Sequence, residues 1–170
     1  LQSGFVDVDV VLILRRPLEV AFSLQKAEGL SLLQAICLWI SSVLESEHIS
    51  RAFPRLIVTY EQLLDSPDQV LLRCQKLFGR ATGQAAGVLS ADAIRFVQSS
   101  SRRQRLEELT RHLDASDSMV SLLNFADQIY DIFQDCSDDQ MQELLLDYQR
   151  RWQLISTSLM MTPQNSVQNF

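Results

Sequence analysis

Two histidines and three cysteines are all that the 170 residues contain of those types, and their placement excludes several kinds of chemistry. Cys37, Cys74 and Cys136 include no Cys-x-x-Cys pair, and their number is odd. Cys37 and Cys74 fall within apolar helical patterns, so buried free thiols and a reducing compartment are expected, with a cytoplasmic location. Neither His48 nor His112 stands at metal-ligand spacing from a Cys, Asp or Glu, so no metal is expected. There is no Gly-x4-Gly-Lys-Ser/Thr loop and no nucleophile elbow. No apolar run approaches the ~20 residues that cross a membrane. The N-terminus lacks the basic and apolar regions of a signal peptide. Positive charge is scarce: a net charge of −6 argues against a general nucleic-acid binder. Any cation serving an anionic ligand must therefore be local.

What is present is an ordinary globular composition, 46% hydrophobic and 21% charged, which can form a core. The length suits one domain or a piece of a larger one. Its most informative run is Val10–Leu24, VVLILRRPLEVAFSL. The continuous apolar stretch reads as a parallel strand covered on both faces. Arg15-Arg16 ends it, Pro17 suits a helix start, and Ser23 follows eight residues after Arg15. A helix N-terminus with an adjacent arginine fork suits a phosphate. Taken alone, Arg15 and Arg16 could equally be solvated charges closing a strand, and Ser23 could bond back to a helix carbonyl.

RRPLEVAFSL resembles the 3′-phosphate-binding element of the sulfotransferases that use 3′-phosphoadenosine-5′-phosphosulfate (PAPS). That family reads roughly Arg-x-Pro-x-(Asp/Glu)-Val-Ala-x-Ser. The resemblance continues through Leu38-Trp39 to LIVTYEQLLDSP at 56–67, where Gln62 replaces the usual Asp; it covers about residues 8–80. It implies that Arg15 and Ser23 bind the 3′-phosphate, with Arg16 in a supporting place. It also implies that Tyr60 lies near the adenine; a strand-end tyrosine with its ring in the core is the other reading of that residue. The implied fold is α/β, part of a P-loop-NTPase-like parallel sheet with flanking helices. The implied reaction is sulfuryl transfer from PAPS to a hydroxyl or amine acceptor.

Along the chain, strand 5–15, helix 17–28 stopped by Gly29, helix 32–52 capped by Ser31, and strand 56–60 make one βαβ-type unit with parallel strands. Leu32, Leu33, Ile36, Ile40, Val43 and Leu44 form the apolar face of the long helix, and Trp39 beside it reads as core. Glu61 reads as a helix cap or orienter. Ser66-Pro67 opens a helix ending at Gly79, and 80–92 reads as a loop. Arg95, Arg102, Arg103, Arg105 and Arg111 read as a solvated face, the other reading, which the resemblance implies, being a basic segment that approaches the 3′-phosphate. Met119 to Phe133 and Met141 to Leu159 carry apolar stripes of an antiparallel helical hairpin, the second helix opened by the capping box Ser137–Gln140. The expected division is an α/β part over 1–113, a helical extension of the same domain over 114–160, and a frayed tail over 161–170.

Sulfuryl transfer also needs a loop for the leaving 5′-phosphate and a base for the acceptor. Neither is found. Gln2-Ser3-Gly4 lacks the cation and precedes a strand, and His48 and His112 sit poorly for catalysis, so no catalytic residue is assigned. The chain is therefore expected to start after the family's first β-loop-α unit, and to be inactive alone while a full-length parent transfers sulfate. The alternative is a non-catalytic module that keeps the sulfotransferase fold for interaction or structure. A nucleotide or sugar kinase-like P-loop protein is the third reading, disfavoured by the absent Walker sequence.

Overall fold

The computed structural model describes residues 8–82, 116–135 and 138–161. The basic stretch from Arg95 to Arg111, His112, Cys136, the Ser137 cap and the tail beyond residue 161 lie outside the described residues, as does the expected loop from residue 83 onward. The described elements are β1 (Val10–Leu14), α1 (Pro17–Glu28), α2 (Leu32–Ser50), β2 (Arg55–Thr59), α3 (Tyr60–Asp65), α4 (Pro67–Thr82), α5 (Asp117–Asp135) and α6 (Asp138–Met161). They make a mostly helical α/β arrangement around a two-stranded parallel sheet.

β1 and β2 pair from Val10 with Arg55 to Leu14 with Thr59, a constant offset of 45 residues. Alternation along each strand divides the sheet's two faces. Leu56 and Val58, with Val11, meet Val70 and Leu77 of α4. Leu14 and Ile57 join the larger core built from α1, α2, α5 and α6. Ile13, in register with Val58, is 56% exposed, so α4 covers its side of the sheet incompletely.

α1 ends at Gly29, whose φ of 69° is left-handed and whose N–H donates to the Gln25 carbonyl at 3.1 Å. A Cβ there would meet nothing within 4 Å; glycine serves the backbone angle rather than the space. The chain then turns through 119° into α2, opened by a capping box in which Ser31 accepts from the Gln34 amide and Gln34 accepts in return. α2 buries Ala35, Ile36, Trp39, Ile40, Val43 and Leu44. Leu33, expected on that face, is 41% exposed. Among the described residues no single helix is long and apolar enough to cross a membrane.

Two boundaries and one role differ from expectation. Tyr60 does not end β2 but begins α3, because Thr59 caps the helix: its hydroxyl accepts from the Gln62 amide and Gln62 bonds back. Glu61 is consequently not the cap. α4 continues past Gly79 to Thr82, a single glycine being tolerated within a helix at modest cost.

The C-terminal pair is antiparallel, since residues further along α5 meet residues earlier in α6. Phe125 stacks against Trp152 at 6.2 Å and tilts against Tyr148 at 5.2 Å, while Tyr148 donates to Gln128 at 3.0 Å. Leu122, Phe125, Ala126, Ile129, Tyr130, Ile132 and Phe133 are buried in the same core as α2. At the other end of α2, Glu47 is fully buried. It receives a bidentate fork from Arg51 and one bond from Arg55, tying the helix's last turn to the first residue of β2.

Candidate functional site

The carboxyl ends of two parallel strands are where an open α/β sheet places ligands. Here those ends are Leu14 and Thr59, and the next residues of each chain are Arg15-Arg16 and Tyr60-Glu61. Just beyond the ladder's last pair the side chains of Arg15 and Tyr60 meet, and so do those of Arg16 and Glu61.

Each arginine takes one carboxylate through Nε and lays its guanidinium over one tyrosine ring. Arg15 donates to Glu19 at 2.6 Å and lies 5.1 Å from the Tyr60 centroid. Arg16 donates to Glu61 at 2.9 Å and lies 5.2 Å from the Tyr130 centroid. Tyr130, on α5, closes the second set by donating its hydroxyl to the other oxygen of Glu61. The side chains of both arginines are about one-third exposed (32% for Arg15 and 34% for Arg16), so the ion pairs are solvent-screened and individually weak. The turn itself is held from the core: the Trp39 indole N–H donates to the Arg15 carbonyl at 3.0 Å. Trp39 is thus both a core ring and a fastener of the turn.

Arg16 is also the N-cap of α1. It makes no side-chain cap bond, and Pro17 follows at the first helical position. α2 and α3, by contrast, each close their N-termini with a capping box. The first turn of α1 therefore keeps backbone donors and the positive end of a twelve-residue helix next to Arg15.

Ser23 is exposed, two turns into α1. Glu19 and Ser23 are four residues apart and share a helix face, so the Glu19 carboxylate stands between Arg15 and Ser23 along that face. Among the expected residues, the structure brings Arg15 and Tyr60 into contact. Ser23 lies ~9 Å of axial rise beyond Pro17 and touches neither. Exposed His48 lies elsewhere, in a groove of about 270 Å³ between α2 and α6 lined also by Ser41 and Trp152.

The surroundings separate the two arginines electrostatically. Asp127 of α5 has its carboxyl pushed above the usual range by burial and then by Asp131, with Arg16 opposing. Arg16 is thus paired with Glu61 and lies near Asp127, an environment that disfavours an added anion. A pocket of about 320 Å³ beyond Glu61 is walled by Asp65 and Arg73 as well, and its mixed charge does not select an anion either. The Arg15 side, with one carboxylate and the open end of α1, is the anion-compatible half.

Sequence reasoning missed Tyr130 and underrated Arg16 and Glu61. The signal that finds the pairing is the register: once the strands are parallel with offset 45, Arg-Arg and Tyr-Glu align. Comparison with family models, with curated proteins and with solved structures yields no match.

The Tyr130 hydroxyl is held well above the usual tyrosine range, first by burial and then by its bond to Glu61 and that carboxylate's charge. A group whose folded pKa is raised contributes stability below its unfolded value and loses it as pH climbs toward the folded one. The stability contributed by Tyr130 is therefore full below about pH 10 and falls above it. Urea midpoints taken from pH 8 to 11.5 should drop more steeply for the wild-type chain than for Tyr130→Phe. Parallel curves would show that Tyr130 ionises as freely as an exposed tyrosine.

Proposed function

We propose that this chain is the 3′-phosphoadenosine-binding part of a PAPS-dependent sulfotransferase-like protein, on a P-loop-NTPase-like parallel sheet of which it contributes β1 and β2. The observation that carries the reading is the junction at the end of β1. Arg15 stands beside the uncapped start of α1, and the Tyr60 ring lies against it from the neighbouring strand end. A 3′-phosphate would meet the Nη pair of Arg15, whose Nε Glu19 holds, and the backbone donors of the first helical turn. Ser23 would add a neutral donor from further along α1. The Tyr60 ring would offer an apolar face toward the adenine. The acceptor would be a hydroxyl or an amine, and loop and base would come from residues other than these.

A second reading has its own support. Both arginines are already matched by carboxylates, which is what a fold retained for interaction or structure, without catalysis, would show.

Titration calorimetry with adenosine 3′,5′-bisphosphate and adenosine 5′-phosphate separates the two. The protein should prefer the bisphosphate. A charge-assisted contact contributes about 1.5–3 kcal/mol, so Arg15→Ala should weaken bisphosphate binding about ten- to a hundredfold, and Ser23→Ala less. Affinity for the 5′-phosphate should not change. Equal losses for both ligands, or none, would leave the structural module as the better account.

A further inference from the structure

We propose that Tyr130 is a positioning residue for the anion turn, acting through Glu61 and Arg16 to keep Arg15 directed at the ligand; this rests on the phosphate-binding reading above. The premise is that two adjacent residues in an extended turn send their side chains to opposite sides. If Arg16 is fixed on the α5 side, Arg15 is committed to the side of Tyr60 and α1.

Two contacts fix Arg16, and a third fixes its carboxylate partner. The Arg16 Nε donates to Glu61, its guanidinium lies on the Tyr130 ring, and the Tyr130 hydroxyl holds the remaining Glu61 oxygen. Tyr130 is fully buried in the core that α5 shares with α2. Glu61 and Arg16 are each about one-third exposed. The buried member of the set is therefore Tyr130, and it orients the two partly exposed ones. Without its hydroxyl, Glu61 can rotate into water, and Arg16 is left with a ring contact alone. The freed Arg16 can then swing toward Glu19 and compete with Arg15 for it. A helix 69 residues distant in sequence from Glu61 thus sets the geometry of the anion turn.

The arrangement predicts a selective defect. Tyr130→Phe keeps the ring and its contact with Arg16 but removes the hydroxyl. It should weaken binding of adenosine 3′,5′-bisphosphate about three- to tenfold, the range for one lost hydrogen bond. Binding of adenosine 5′-phosphate should not change. Glu61→Gln should produce a similar loss, and the double variant should lose no more than the larger single, because both act on one unit. Calorimetric titration of the four proteins with both nucleotides reads all of this.

If the wild-type protein prefers the bisphosphate but Tyr130→Phe binds it equally well, the positioning role is wrong and the phosphate reading stands. Additive losses in the double variant also overturn it, since Tyr130 would then act independently of Glu61. If the wild-type protein does not distinguish the nucleotides, the phosphate reading fails and takes this inference with it. Should Tyr130→Phe fail to fold, Glu61→Gln at its partly exposed site carries the test alone: a selective threefold or greater loss supports the proposal, and no loss overturns it.

Discussion

Replacing Glu47 with alanine should lower the unfolding free energy by about 3–5 kcal/mol, the cost of removing one member of a buried ion pair. The carboxylate has no solvent exposure and accepts from Arg51 Nε at 2.8 Å, from Arg51 Nη2 at 2.6 Å and from Arg55 Nη1 at 3.1 Å. Arg51 and Arg55 are themselves only 15% and 12% exposed. Without Glu47, two guanidinium groups remain in a dry site with like charges side by side. The Glu47 and Ser50 oxygens that Arg55 also binds cannot neutralise them. A cavity of side-chain size adds to the cost. The loss should fall between the end of α2 and the start of β2, so it loosens the strand register as well as the helix. Urea unfolding measures it. A change below 1 kcal/mol would mean that water enters and solvates both arginines. Replacing all three charged residues together by apolar ones of similar volume should restore most of the loss, because desolvation is then removed along with the attraction.

The same segment shows what a single sequence can and cannot disclose. Gly29, Ser31 and Pro17 are punctuation with a local cause, so helix limits at 17, 28 and 32 are legible in advance. The parallel pairing of β1 with β2 follows from two apolar strands joined by helices too long for a hairpin. The sequence pattern carries the strand to residue 60 because Tyr is a good strand residue, but a capping box, Thr59 with Gln62, overrides that propensity. Gln62 differs from the sulfotransferase pattern, yet the cap needs only a side-chain acceptor at that place, which Gln supplies.

The buried ion cluster was not legible. Glu47, Arg51 and Arg55 look like ordinary helix-surface charges until the loop after α2 folds Arg55 back under the helix. Tyr130 reads in its stripe as one more core ring, and nothing local marks its hydroxyl as bound to Glu61. Long-range pairs of this kind have no periodic signal. They become visible only when the register brings strand ends together and α5 is laid beside them. The Arg15-Arg16 turn stands out by its residue types, but which carboxylate each arginine takes becomes visible only once Glu61 lies across from Arg16 and Glu19 across from Arg15.

Trp152→Ala should destabilise the chain by about 3–5 kcal/mol, as truncation of a large buried aromatic does. The ring is 8% exposed, stacks on Phe125, and joins the core that holds α2. Its indole N–H donates to Ser41 of α2 at 3.0 Å, and Gln149, one turn earlier, donates to the Leu44 carbonyl at 3.1 Å. Trp152 thus joins α6 to α2 alongside Met141 and Leu145 of the same core, with two hydrogen bonds added at this end. Alanine removes the ring and leaves Ser41 without that donor. It also widens the adjoining groove, about 270 Å³ in the native chain, so water can enter and partly offset the cavity. Trp152→Phe keeps a ring in the core but loses the N–H together with part of the ring's volume, so it should cost less than the alanine variant, with the lost hydrogen bond contributing about 0.5–1.5 kcal/mol. The two variants together separate packing from hydrogen bonding, with urea-derived stability as the measurement. A shift below 1 kcal/mol for the alanine variant would show that α6 does not depend on this ring for its attachment. An equal loss in both variants would place the cost in the bond to Ser41 rather than in the core.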